Sequence, residues 1–311
     1  MTFCKYLSLF ILIAFISCSK QEEEINMTVP KIEYSEIEKF NNKWNDVDGV
    51  TKLRLVVHQF SSEDSFYTES QVLALVDSIN TTLTQALPNQ DIEKGFEGVY
   101  QIPKIVFLFD TTEFAAMTTT KLTTDLEDSV AGAFVRQQHQ DIDGSKYVNF
   151  FLIPYTDSDG FGHTRIAGSD GANDMIKGGI YVYGKTLDKG IISTTFIHEL
   201  GHYLGLYHTF GKTYPSEIDC DKMKNYIENG INELIYERDG VQFYANDYDD
   251  EIDDTPYMFV MGYRPCNDLF GPPHNNNFMN YSVIKNMFTQ GQCDKMNAVL
   301  KSESRRGVII E

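Results

Sequence analysis

Cations are scarce in this 311-residue chain: 26 Lys and Arg stand against 45 Asp and Glu, leaving a net charge of -19. Holding a phosphate backbone takes clustered Lys and Arg, so the balance argues against a nucleic-acid partner. It suits an exported protein and cation sites built from carboxylates. Tryptophan is nearly missing, with one residue, yet 18 Tyr and 21 Phe help keep the chain at 42% hydrophobic. That is an ordinary globular composition, long enough for one large domain or two subdomains. No internal repeat or low-complexity tract is visible. The N-terminal apolar run, Leu7 to Ile16, is too short to span a bilayer and reads as a cleaved signal segment.

Cysteine is sparse as well, five in all. Cys18 directly follows the apolar run and small Ser17, an arrangement that resembles a bacterial lipoprotein box with Cys18 as the lipidated residue. A plain signal peptide with an incidental cysteine is the alternative. The next residues, SKQEEE, resemble the acidic tag of surface-displayed lipoproteins. The expected layout is therefore a signal peptide over 1–17, an acidic tether with a short helix over 18–46, and a folded domain over 47–311. Its expected location is the outer membrane, held by lipid and facing outward. Cys4 leaves with the signal, so Cys220, Cys266 and Cys293 remain, of which two can pair.

TKLRLVVHQF from Thr51 reads as a strand. Val72, Leu75, Val76, Ile79 and Leu83 recur at helical spacing, and IPKIVFLFD (102–110), YVNFFLIPY (147–155) and GGIYVYGK (178–185) are further apolar strands. DKMKNYIENGINELIYERDG (221–240) reads as a helix and is followed by the acidic stretch NDYDDEIDDTP.

The richest stretch is HELGHYLGLYH (198–208). Positions i and i+4 share a helix face, so His198 and His202 can grip one zinc ion. Glu199 beside them can deprotonate a metal-bound water and pass the proton to a leaving amine. Gly205 permits the left-handed backbone that ends a helix, letting the chain turn and deliver His208 as third ligand. Three protein ligands with an open position is the catalytic arrangement. Glu233, within NELIYE (232–237), is a rival third ligand, weakened because His208 already has the spacing. His58, His139, His163 and His274 are scattered without ligand spacing.

HELGHYLGLYH matches the HExxHxxGxxH consensus of metzincin metallopeptidases, and Met279 in NNFMNYS supplies the methionine those enzymes place in a tight turn beneath the zinc. The order HELGHYLGLYHTF, Cys220, DEIDDTP (250–256), Cys266, FMNY (278–281) and FTQGQ (288–292) resembles the pappalysin family more closely still, over most of residues 50 to 300. The resemblance implies an α+β fold. Its N-terminal subdomain (about 47–204) holds a twisted mixed sheet and long helices, the zinc helix among them; its C-terminal subdomain (205–311) is irregular and carries the Met-turn. It implies zinc, a Cys220–Cys266 disulfide, calcium held by Asp250, Asp254 and Thr255, and a Tyr281 hydroxyl that steadies the oxyanion. GGIYVYGK falls where metzincins place the edge strand that holds substrate.

Three departures matter. Relatives that cut before arginine carry an acidic residue where Ile284 stands, so an apolar specificity pocket is expected. Asn286 replaces a further cysteine, leaving Cys293 as a candidate free thiol. The 221–246 segment is longer than the usual family loop. The expected activity is endopeptidase action on protein or peptide substrates; the alternative is a non-catalytic zinc-containing surface lipoprotein acting in adhesion, against which Glu199 counts.

Overall fold

Two runs without polar alternation, IVFLF and VNFFLI, mark the central sheet, because strands covered on both faces read as continuous apolar stretches. The computed structural model describes residues 34–61, 67–88, 91–92, 96–110, 117–121, 144–153, 162–164, 179–183, 189–211, 219–238, 240–257, 266, 275–282, 285–302 and 305–311. Its elements begin with α1 (Tyr34–Asn45), β1 (Thr51–Ser61), α2 (Glu69–Thr84), β2 (Tyr100–Gln101), β3 (Ile105–Phe109), β4 (Met117–Lys121) and β5 (Val148–Ile153). They continue with β6 (Gly162–His163), β7 (Ile180–Tyr183), α3 (Lys189–Tyr203), α4 (Cys220–Asn229), β8 (Leu234–Arg238), β9 (Val241–Tyr244), β10 (Phe288–Thr289) and α5 (Gln290–Lys301).

The main sheet has the order β3-β1-β5-β7-β6, with β4 also on β1. All its pairings are parallel except that of β6 with β7. This is the mixed sheet of the expected α+β fold. GGIYVYGK, however, does not supply the edge: β7 lies between β5 and β6, and the antiparallel β6 is outermost. A two-residue Gly-His strand has no periodicity to read, which is why sequence reasoning passes over it.

At the opposite end, asparagines stand in for a missing strand. Asn80 of α2 donates to Phe107 O at 3.0 Å and accepts from Phe107 N at 2.8 Å; Asn41 of α1 does the same for Phe109 at 2.8 and 3.0 Å. These amides satisfy backbone groups that would otherwise be buried without partners. Asn41 also shows that the expected tether ends early. Ile37, Phe40 and Trp44 of α1 are buried, and Trp44 Nε1 donates to Asp77 at 3.0 Å. Three apolar residues at helical spacing inside a polar stretch are enough to dock α1.

Helix α2 starts at a Thr68–Gln71 capping box and buries Val72, Leu75, Val76, Ile79 and Leu83. Helix α3 is joined to the sheet by Phe196, whose ring packs edge-on against Phe107 (5.3 Å) and Phe150 (4.5 Å). Such contacts contribute about 0.5–1.5 kcal/mol each beyond area burial.

The half after α3 is irregular apart from short elements. The helix expected over 221–240 stops at Asn229, because Gly230 takes a left-handed conformation (φ 69°) and the chain turns into the β8–β9 hairpin. Alternating LIYER pairs with VQFY, so the period there is that of a strand. Met223, Ile235, Ala245, Tyr248 and Cys266 form a small separate core, and Cys220 and Cys266 are disulfide-bonded. The 221–246 segment is thus a helix and hairpin tied to the loop at Cys266. Cys293 is a free, buried thiol. Among the described residues, no helix is long and apolar enough to cross a membrane.

Candidate metal centre

Helix α3 turns Ile192, Phe196, Ile197, Leu200 and Tyr203 into the core. The neighbouring face then carries His198, Glu199 and His202, all buried. Beyond Tyr203 the chain closes on itself: Leu206 N donates to Gly201 O at 2.9 Å, and Gly205 adopts φ 89°. That turn brings His208 back, with its Nε2 3.0 Å from His202 Nε2. The ligand atoms of His198, His202 and His208 lie within 4.8 Å of one another, the one such cluster among the described residues.

The rings are held from behind by backbone. His198 Nδ1 donates to Phe278 O at 2.5 Å, and His202 Nδ1 donates to Leu206 O at 2.8 Å. A carbonyl can only accept, so each Nδ1 carries the proton and each Nε2 keeps its lone pair for a metal. Burial keeps two of the imidazoles neutral: His198 is held well below the ordinary histidine range and His208 is pushed down to about 2, with His202 and Lys285 adding to the effect. Three clustered imidazoles, two of them aimed by backbone carbonyls, fit zinc.

Met279 lies under the helix and is fully buried. Gly201 is glycine because a Cβ there would run into Met279 Sδ. The turn is clamped by Asn277, whose Oδ1 accepts from Met279 N (2.8 Å) and whose amide exchanges hydrogen bonds with Gln292 (2.8 and 3.2 Å). Thr289 caps α5 and shares Gln292. FMNY and FTQGQ are therefore two halves of one clamp. Tyr281 stands at the rim, 36% exposed, its ring 4.6 Å from His208 and 5.6 Å from His198.

Sequence reasoning missed what sits over Glu199. A Cβ on Gly162 of β6 would approach Glu199 Cγ and Oε1 to 2.9 Å. The Thr164 N–H donates to the same carboxylate, and Thr164 Oγ1 anchors to Gly179 O at 2.9 Å. Burial raises the Glu199 pKa to about 8, opposed by the Lys285 charge and the Thr164 bond.

In the acidic loop, Asp250 Oδ1 accepts from Thr255 Oγ1 (2.6 Å) and Ile252 N (3.1 Å), and Asp254 Oδ2 accepts from Gly291 N (2.8 Å). Asp250 Oδ2 and Asp254 Oδ1 are buried acceptors without a donor. Burial lifts Asp250 to about 7. Glu233, the rival ligand, instead accepts from Asn225 at 2.7 Å and has no place in the histidine cluster. His58 is buried against Asn149 (3.1 Å), a structural role. Ile284, Cys18, His139 and His274 lie outside the described residues.

The sequence profile of the peptidase family described as pregnancy-associated plasma protein-A matches residues 132–301, more than half of the chain. The chain belongs to the pappalysin family of metzincin peptidases. Among solved structures, mature mirolysin of Tannerella forsythia in complex with a cleaved peptide superposes with a TM-score of 0.61 at 16% identity, covering 85% of this chain and 97% of that one. A promirolysin mutant from the same organism gives 0.61 at 15% identity, over 88% and 91%. At such identities the likeness is one of fold. No curated protein matches the sequence. This pappalysin is accordingly a zinc metalloendopeptidase of the metzincin type, and its histidine triad is the residue set that would hold the zinc.

Proposed function

We propose that this pappalysin cuts within extended protein or peptide chains, with Glu199 moving the proton. The observation that carries the reading is Glu199 itself, buried next to the histidine cluster and against the outermost strand of the sheet. Zinc, when bound, supplies a Lewis acid that acidifies a water and polarises the scissile carbonyl. Glu199 then takes the water's proton and delivers it to the leaving amine, the two halves of general base and general acid work. Its burial, which raises its proton affinity, suits the second half. The Tyr281 hydroxyl, at the rim, donates to the developing oxyanion.

Substrate lies along β6, adding a strand by backbone hydrogen bonds, which demand little of its sequence. Mirolysin has been captured with a cleaved peptide, which supports a peptide as occupant of the same fold. Calcium at the acidic loop completes the reading: the buried carboxylate oxygens Asp250 Oδ2 and Asp254 Oδ1, which have no protein donor, are the atoms that would hold it.

Terminal-amine mapping of a peptide mixture treated with the zinc-loaded domain, beside Glu199→Ala, tests the mechanism. New termini are expected with wild type only, and equal cleavage by the variant sinks it. We further propose export and anchoring through Cys18 to the outer membrane, facing outward. Fatty-acid label is expected in the wild type and not in Cys18→Ala; label retained by the variant refutes the anchor.

A further inference from the structure

The β8–β9 hairpin has one covered edge and one open edge. On the β8 side, Lys222 of α4 donates to Leu234 O at 2.8 Å, and Ile235 and Tyr236 pack onto the small core. On the β9 side no third strand pairs among the described residues, and Val241, Gln242 and Tyr244 are exposed. Ala245 N donates to Glu233 O at 2.9 Å, and antiparallel pairing alternates, so the N–H and C=O of Gln242 turn away from β8. Tyr244 N turns the same way and is taken by Asp247 Oδ2 at 2.8 Å. The Gln242 amide and carbonyl are thus placed to meet another strand.

That edge is also apolar. Val241 is 54% exposed, Tyr244 37%, and Ile231, just before β8, 49%. By alternation Val241 shares a face with Phe243, whose ring stacks on Tyr236 at 4.6 Å. Grouped exposed apolar side chains mark a contact surface. Edges guarded against pairing carry Lys or Pro, whereas β9, VQFY, carries neither.

The hairpin is rooted beside the metal centre. Gly211 N donates to His208 O at 2.8 Å, and a Cβ on Gly211 would lie 2.4 Å from Asp247 O and 2.7 Å from Tyr248 Cα. Asp247 and Tyr248 belong to the 3-10 turn, Ala245–Tyr248, that follows β9 directly. Through this contact Tyr244 stands within about 20 Å of the third ligand, the span of about six extended residues. A polypeptide that reaches the metal centre and runs on for that length can meet β9.

We propose that β9 is a second contact site for the protein substrate. An extended segment, six or so residues from the cut bond, adds to its open edge and lays apolar side chains against Val241 and Phe243. The proposal rests on the peptidase reading above and names the substrate class: long, locally unfolded polypeptide in preference to short peptides.

The test uses zinc-loaded protein and quenched peptides that share one cleaved core and are lengthened on either side from about three to about twelve residues. Wild type should gain about tenfold in kcat/KM, through KM, once one flank passes about six residues, the scale of a few added strand contacts. Val241→Lys puts a charge on the edge at a position already exposed, and Gln242→Pro removes the outward N–H. With circular dichroism and zinc content unchanged, each should bring the ratio of long to short peptide close to one. A wild type without length dependence overturns the proposal, as does a length dependence that both variants keep. A dimer in sedimentation that Val241→Lys dissolves also refutes it, since the edge would then belong to a second copy of the chain. If wild type cuts no peptide, or Glu199→Ala cuts as well, the peptidase reading falls and this proposal with it.

Discussion

The histidine centre and the acidic loop both bury groups that titrate, but they reach opposite settlements. At the centre, the Nδ1 atoms of His198 and His202 have backbone acceptors, and burial holds His198 and His208 neutral, so these ligands carry no charge into the interior. In the loop, two carboxylate oxygens are buried with nothing to satisfy them, and Asp250 clings to a proton as high as about 7. Neutral ligands tolerate burial; anionic ligands make burial conditional on a cation. The first site belongs to the chemistry; on the proposed calcium reading, the second would make the stability of its surroundings responsive to cations and pH.

Breaking the first site should cost the most. Glu199→Gln keeps the shape and removes the base, so kcat/KM should drop by about 10²–10⁴-fold while zinc content by atomic absorption stays at wild-type level. Loss of zinc with loss of rate would mean that Glu199 supports the metal rather than the reaction. Next in size is the staple of the second region. Replacing both Cys220 and Cys266 by Ser opens a loop of 46 residues and should lower stability by about 4 kcal/mol in denaturant titration. The small core of Met223, Ile235 and Tyr248 should melt before the sheet. A single transition shifted as a whole would show that the two regions are one cooperative unit.

The smallest effect is the most diagnostic. A buried carboxyl with a raised folded pKa adds stability in its protonated form, fully present below about 4 and lost as pH rises through about 7. Without calcium, Tm should therefore fall over that window, and the gain from added calcium should grow over the same window. Asp250→Asn should flatten both trends. A calcium response of equal size at pH 5 and pH 8 would mean that Asp250 is not a ligand.

What the sequence disclosed divides along the same line. His198, His202, Gly205, His208 and Met279 follow from helical spacing, one left-handed turn and a resemblance carried by short motifs, so the centre was legible from the residues. The acidic loop was legible as composition, but not its two orphaned oxygens, which depend on how Gly291 and Thr255 approach from elsewhere. β6 was invisible because two residues carry no pattern and its place depends on pairing with β7 across the chain. The 221–240 segment misled because its charged residues suit a helix, and only Gly230 and the later VQFY decide otherwise.

The carbonyls behind His198 and His202 have a consequence for how this enzyme can change. Phe278 O and Leu206 O belong to the main chain, so no exchange of those two side chains deletes the acceptor. Orientation of the ligands is thereby written in chain path instead of in residue identity. Drift in the surrounding sequence can reshape the substrate groove freely, and the metal will still find its nitrogens aimed the same way.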